Sequence, residues 1–252
     1  MFIIESNKGA KGSGHAAFVL LIGALASVAV TSGREVCIEE RFSDLDRWEP
    51  HTFPAVPHES EYVVEEDEGG NPFLLMTSDG GGSGLVLKES FRVRDYPIVE
   101  WRWRVDKAIE GVDHLRRDGD DYPARVYVFF DYEGRGLDLA TRIRYRAYRA
   151  LRGEYPPHSG LTYVWNAVPV EEKIYPNPYT DRVGMFVLRG AETALGEWRE
   201  ESIHILEDYE RYFGEEPPET ARIAIMTDSD DTGQSTRAAL DFIRIVSEGA
   251  EQ

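Results

Sequence analysis

Short apolar runs broken by turn residues dominate the chain. Period-two alternation or β-branched and aromatic enrichment marks strands at Val36–Phe42, Glu61–Glu66, Phe73–Thr77, Gly84–Val93, Ile98–Asp106, Ala124–Asp131, Thr162–Asn166, Val183–Arg189, Trp198–Ile205, Arg222–Thr227 and Ala239–Val246. Turns fall at Glu68-Gly-Gly-Asn-Pro72, Asp79-Gly-Gly-Gly-Ser83 and Gly214-Glu-Glu-Pro-Pro218. About ten strands at this spacing predict an all-β chain with minor helices, a jelly-roll-like antiparallel β-sandwich. Two segments depart from the alternation. Leu137–Arg152 has neither Pro nor Gly and places apolar residues at helical spacing, so it predicts a helix inserted between strands. Glu207–Phe213 predicts a short helix stopped by Gly214.

The N-terminus has a different pattern. Ala16–Val30 is an apolar run of 15 residues, with Ser27 its one polar member, preceded by Lys8 and Lys11. A bilayer span needs about 20 apolar residues, so the run predicts the core of a signal peptide covering residues 1–29, with cleavage after Ala29. An uncleaved anchor is the alternative. Either way residues 30–252 form the expected single domain, placed in the periplasm or secreted, with membrane contact only through the leader.

Composition narrows the partners. The net charge is −18, which repels nucleic acid. Basic residues are 23 Arg against 5 Lys, a bias that fits a saline habitat and G+C-rich coding equally well. Cys37 is the sole cysteine and so forms no intramolecular disulfide.

Several segments, in order, carry a resemblance: Val99-Glu-Trp-Arg-Trp-Arg104, Gly119-Asp-Asp-Tyr-Pro-Ala-Arg125, Leu161-Thr-Tyr-Val-Trp165, Trp198-Arg-Glu-Glu201, Asp208-Tyr209 with Phe213-Gly214, and Ile225-Met-Thr-Asp-Ser-Asp-Asp-Thr232 before Asp241. Over residues 38–248 the chain resembles the bacterial exported family known as domain of unknown function 3047. The resemblance implies an exported, β-rich single domain and brings no activity. Where relatives read Thr-Asp-Thr-Asp-Asn-Thr, this chain reads Thr227-Asp-Ser-Asp-Asp-Thr232, one carboxylate more.

Two groups of residues could carry chemistry. Alternation sends Val99, Trp101, Trp103 and Val105 to one side of their strand and Glu100, Arg102 and Arg104 to the other. If the strands of Arg125, Tyr127 and Trp165 lie beside that strand, then Arg102, Arg104, Arg125, Tyr127 and Trp165 form one arginine and aromatic face. Sugar rings stack on such aromatics, and guanidinium forks bind hydroxyls and carboxylates. An ordinary solvated sheet face with cross-strand ion pairs is the alternative. The second group is acidic: Asp120 and Asp121 in one loop, Asp228, Asp230 and Asp231 in another. These could together hold a structural Ca²⁺, which takes six to eight oxygens. Asp228-Ser-Asp-Asp-Thr-Gly233 lacks the twelfth-position Glu of an EF-hand, and a turn whose carboxylates bond backbone N–H groups is the simpler expectation.

Catalytic signatures are thin. There is no Gly-x-Ser-x-Gly elbow, no His-Glu-x-x-His and no phosphate-binding glycine loop. Of the six histidines, His158 is the one that could serve acid–base work, and an ordinary loop residue is the simpler expectation for it. The expectation is a binding protein for a polysaccharide or another cell-envelope component. The alternatives are a polysaccharide hydrolase or lyase, and a structural envelope protein that binds another protein.

Overall fold

The computed structural model describes residues 33–134, 139–152, 155–166 and 173–249. The leader assigned to residues 1–29 lies outside them. Thirteen strands are seen among the described residues. They are β1 (Val36–Glu40), β2 (Trp48–Thr52), β3 (Glu61–Glu66), β4 (Pro72–Asp79), β5 (Gly82–Arg92), β6 (Ile98–Lys107) and β7 (Ala124–Phe130). Helix α1 (Leu139–Arg152) precedes β8 (Ser159–Trp165), β9 (Ile174–Asn177), β10 (Thr180–Arg189) and β11 (Arg199–His204). Helix α2 (Ile205–Phe213) precedes β12 (Thr220–Asp228) and β13 (Ser235–Val246).

These strands make a two-sheet, jelly-roll-like sandwich. One sheet runs β11-β6-β13-β4-β3, with β1 continuing the β4 side of the long β13. The other runs β2-β5-β12-β7-β8-β10-β9. All pairs are antiparallel except β8 with β10. Each of the eleven runs expected from the sequence contains a strand. The two strands that alternation does not reveal, β2 and β9, contain Pro50 and Pro176 and are the two edges of the seven-stranded sheet. Proline lacks the N–H that a central strand must donate, so an edge is where such a strand can sit.

The core lies between the sheets and is strongly aromatic. Trp101 and Trp103 of β6 project from one sheet, and Tyr163 and Trp165 of β8 meet them from the other, with ring centroids 5.6 Å (Trp101–Tyr163) and 5.7 Å (Trp103–Trp165) apart. Each such side chain contributes roughly 1.5–3 kcal/mol by leaving water. Trp103 also donates its indole N–H to Glu201 at 2.8 Å, and Arg189 holds the same carboxylate at 2.6 Å. Helix α2 closes one end. The His204 ring accepts from the Glu207 N–H, and Gly214 takes the left-handed conformation (φ 70°) that ends the helix.

Candidate functional site

The outer face of the seven-stranded sheet holds both features of interest. In β7, Ala124, Val126, Val128 and Phe130 face the core, so Arg125, Tyr127 and Phe129 face outward. Tyr127 has short cross-strand neighbours on both sides. It is paired with Ala224 and Thr162, whereas Phe129 is paired with Gly160 on one side and Arg222 on the other. A methyl group on Gly160 would come within 3.0 Å of the Phe129 ring, so the ring lies close over the bare glycine backbone. Tyr127 and Phe129 stack with centroids 4.9 Å apart and rings 15° from parallel.

A cleft of about 420 Å³ lies over this part of the sheet, with Gly84 and Ala224 among its lining residues. Tyr127, Phe129 and Met226 are among its floor residues, with Tyr148 of α1, Tyr155 and Phe53 on its walls. The volume suits a small ligand or a few residues of a chain. Asp131 is the one carboxylate lining it among the described residues, and it is engaged with Arg222 at 3.4 Å and the Thr220 hydroxyl at 2.7 Å. Two facing carboxylates, the minimum for glycoside hydrolysis, are therefore not seen there among those residues. His158 lies by Ser159, its Nδ1 3.0 Å from the hydroxyl, and burial lowers its pKa, with Arg182 adding to the effect.

One row further along the same face, the two acidic loops meet. Arg125 is the centre of the cluster and is 2% exposed. It forks onto Asp228, with Nε 3.0 Å from Oδ1 and a terminal nitrogen on Oδ2, and it also binds the Asp120 carbonyl. Its plane lies over the Tyr122 ring at 4.4 Å. Asp228 accepts the Tyr122 N–H at 3.1 Å. Asp121 reaches across and accepts the N–H groups of Asp231 (3.2 Å) and Thr232 (2.7 Å). The turn after β12 is thus capped by a carboxylate from the other loop.

Burial first, and neighbouring charge second, set how these groups titrate. Burial drives the carboxyls of Asp228 and Asp120 upward, with Arg125 pulling each back. Arg125 stays charged because the carboxylates around it outweigh its own burial. Burial and Asp121 push Asp231 up to about 6. His114, stacked on Tyr122 at 4.4 Å, is pushed down to about 4 by burial and by Arg125, so it is neutral at pH 7.

The five aspartates that could hold a cation are placed differently. Carboxylate oxygens of Asp121, Asp228 and Asp230 lie within 4.8 Å of one another. Asp120 turns to Arg125 and Asn177, and the Tyr179 hydroxyl lies 3.4 Å from Asp231. Three oxygens are about half the coordination shell of Ca²⁺. A raised folded-state pKa at Asp231 means its ionised form works against folding, a burden present above pH 6 and relieved as pH falls toward 4. Asp231→Asn should therefore melt slightly above the parent at pH 7, by a few tenths of a kcal/mol because the residue is exposed. The gap should close by pH 4 in a thermal scan. An equal gap at both pH values would contradict the assignment. The same scan with millimolar Ca²⁺ separates an ion site, which raises the melting temperature by mass action, from a purely hydrogen-bonded cluster.

The five residues considered for a sugar face are also divided. Arg102 and Arg104 are on β6, hence on the opposite outer face of the sandwich. There they lie over Trp198 at 5.2 and 4.7 Å and pair with Asp241 (2.9 Å) and Asp106 (2.7 Å). Trp165 is not on a surface. It pairs with Ala124 and Tyr163 pairs with Val126, so both point into the core with those residues. Arg125 is consumed by the acidic cluster. Only Tyr127 reaches the cleft. Phe129 continues its alternation and was legible; Tyr148, Tyr155 and Trp198 required the tertiary structure.

Together these features define a two-sheet β-sandwich with an aromatic cleft on one outer face and a buried arginine–carboxylate cluster at its end. The family model described as "Protein of unknown function (DUF3047)" matches residues 46–244, and the chain belongs to that family. No curated protein matches the sequence. Among solved structures, the family 11 carbohydrate-binding module of cellulase Lic26A-Cel5E from Clostridium thermocellum is similar at 9% identity, covering 86% of this chain and 95% of that one, with a TM-score of 0.45. The K3 adhesin domain of Lys-gingipain from Porphyromonas gingivalis is similar at 9% identity, covering 84% and 100%, with a TM-score of 0.39. The mannan-recognising module TmCBM27 is similar at 14% identity, covering 86% and 99%, with a TM-score of 0.33. No helix among the described residues is long and apolar enough to cross a membrane.

Proposed function

We propose that this is a periplasmic or secreted glycan-binding protein and that the cleft over Tyr127 and Phe129 is its binding site. The observation that carries the reading is the cleft itself. Gly84 and Ala224 leave room above the sheet, and the rings of Phe53, Tyr127, Phe129, Tyr148 and Tyr155 line the hollow. Sugars present C–H faces that pack on aromatic rings and hydroxyls that need nearby donors and acceptors. The Arg222–Asp131 pair supplies both. Export rests on the apolar leader at Ala16–Val30.

Binding to soluble and insoluble polysaccharides, measured by array and pull-down, tests this. Phe129→Ala should weaken binding about two- to tenfold, since one aromatic contact contributes about 0.5–1.5 kcal/mol. Its thermal melt distinguishes lost binding from lost folding. Trp198→Ala, on the other outer face, should bind as the parent does. If Trp198→Ala abolishes binding and Phe129→Ala leaves it intact, the ligand belongs to a second hollow, on that other face, lined by Asn71, Arg102, Trp198 and Asp241.

A further inference from the structure

Helix α1 forms one flank of the cleft, and its charge is opposite to that of the rest of the protein. It carries Arg142, Arg144, Arg146, Arg149 and Arg152 within fourteen residues and no acidic residue, in a chain of net charge −18. Arginines on the strands are mostly neutralised: Arg102, Arg104, Arg125, Arg189, Arg222 and Arg244 all sit in ion pairs. Among the described residues, no carboxylate lies at ion-pair distance from Arg142, Arg144, Arg146 or Arg149. Arg144 donates to the Thr141 hydroxyl at 2.9 Å, and Arg149 lies 4.8 Å from the centre of the Tyr155 ring.

The helix is fixed to the cleft wall. The Tyr145 hydroxyl donates to the Pro157 carbonyl at 2.6 Å, and Tyr132 packs edge-on against both Tyr145 and Tyr155. Tyr148 and Tyr155 themselves line the cleft. Arg149, stacked on Tyr155, is therefore at the rim. A charge entering the cleft there lies within the ~8–10 Å over which salt at physiological strength leaves charges coupled.

We infer that the ligand of this cleft is an anionic polysaccharide, bearing uronate carboxylates or sulfate groups, drawn to the cleft by the arginines of α1. The inference rests on the glycan-binding reading above. An acidic protein repels a polyanion over most of its surface, so a single cationic helix beside an aromatic cleft both steers the chain and sets its orientation. Guanidinium groups suit either anion because their forked donors match planar carboxylate and sulfate oxygens.

The test is binding of the full chain to polygalacturonate, dextran sulfate and a neutral β-glucan at low and high salt. The anionic polymers should bind at least tenfold more tightly than the neutral one at low salt, with the preference fading as salt rises. Preference for polygalacturonate assigns carboxylate recognition, and preference for dextran sulfate assigns sulfate recognition. Arg144→Gln, Arg146→Gln and Arg149→Gln together should abolish the preference, while the same three changed to Lys should retain most of it. Equal, salt-insensitive affinity for all three polymers overturns the charge inference and leaves glycan binding standing. No binding to any polymer overturns both. Binding to phosphatidylglycerol vesicles that the Gln variant loses, without polymer binding, assigns the helix to a membrane surface instead. Leu139 and Ile143, 71% and 59% exposed on α1, make that arm necessary.

Discussion

Arg125→Ala is expected to destabilise the domain by about 3–5 kcal/mol, because it leaves the Asp228 and Asp120 carboxylates buried without their counter-charge. The same change empties the space over Tyr122 and releases the loop that carries Asp120. Urea denaturation at pH 7 measures it. Because the stranded carboxylates can take up protons, the loss should shrink as pH falls toward 5. A loss below about 1 kcal/mol at pH 7 would mean that the carboxylates find other partners and that the guanidinium is not the centre of the cluster. The double change Arg125→Met with Asp228→Leu is the informative companion. Replacing a buried pair with apolar groups is often neutral, so it should recover part of the stability that the single change loses.

Trp165→Ala should have an effect of similar size, about 3–5 kcal/mol, for a different reason: a large side chain is removed from a close-packed interior. Trp165 is fully buried and meets Trp103 edge to face at 5.7 Å, so the cavity opens at the point where the two sheets touch. The variant should unfold at lower urea concentration, while the fraction that remains native should bind polysaccharide as the parent does. A variant with unchanged stability but no binding would place Trp165 in a ligand site, and the core assignment would fail.

The contrast between these two residues shows how far the alternation pattern reaches. Alternation along β7 separates Arg125, Tyr127 and Phe129 from Val126 and Val128 correctly, because side chains on one strand must point to opposite sides. It does not say which side of a neighbouring strand matches. Tyr163 and Trp165 share a side with each other, but pairing sets them opposite Val126 and Ala124. A shift of one residue in that register would have put both on the outer face beside Tyr127. Likewise nothing local to Ile98–Asp106 reveals that β6 joins the other sheet, which sends Arg102 and Arg104 to the far surface.

The acidic loops follow the same logic. Their carboxylates and the turn between β12 and β13 are visible in Thr227–Gly233, and backbone capping by carboxylate is the expected use of such residues. That Asp121 performs the capping from more than a hundred positions away depends on β7 and β12 being adjacent. The buried Arg125 between them is a consequence of the same adjacency.

The sequence by itself determined the class of fold, all but the two proline-bearing edge strands, and membership of the unknown-function family, because strand periodicity and turn chemistry act over a few residues. Tertiary structure alone decided which aromatics form the core and which form a cleft, that the two acidic loops share one arginine, and that the cationic helix flanks the cleft. Those are matters of strand order and register. They are settled by pairings between segments far apart in the chain, where local pattern carries no information about the partner.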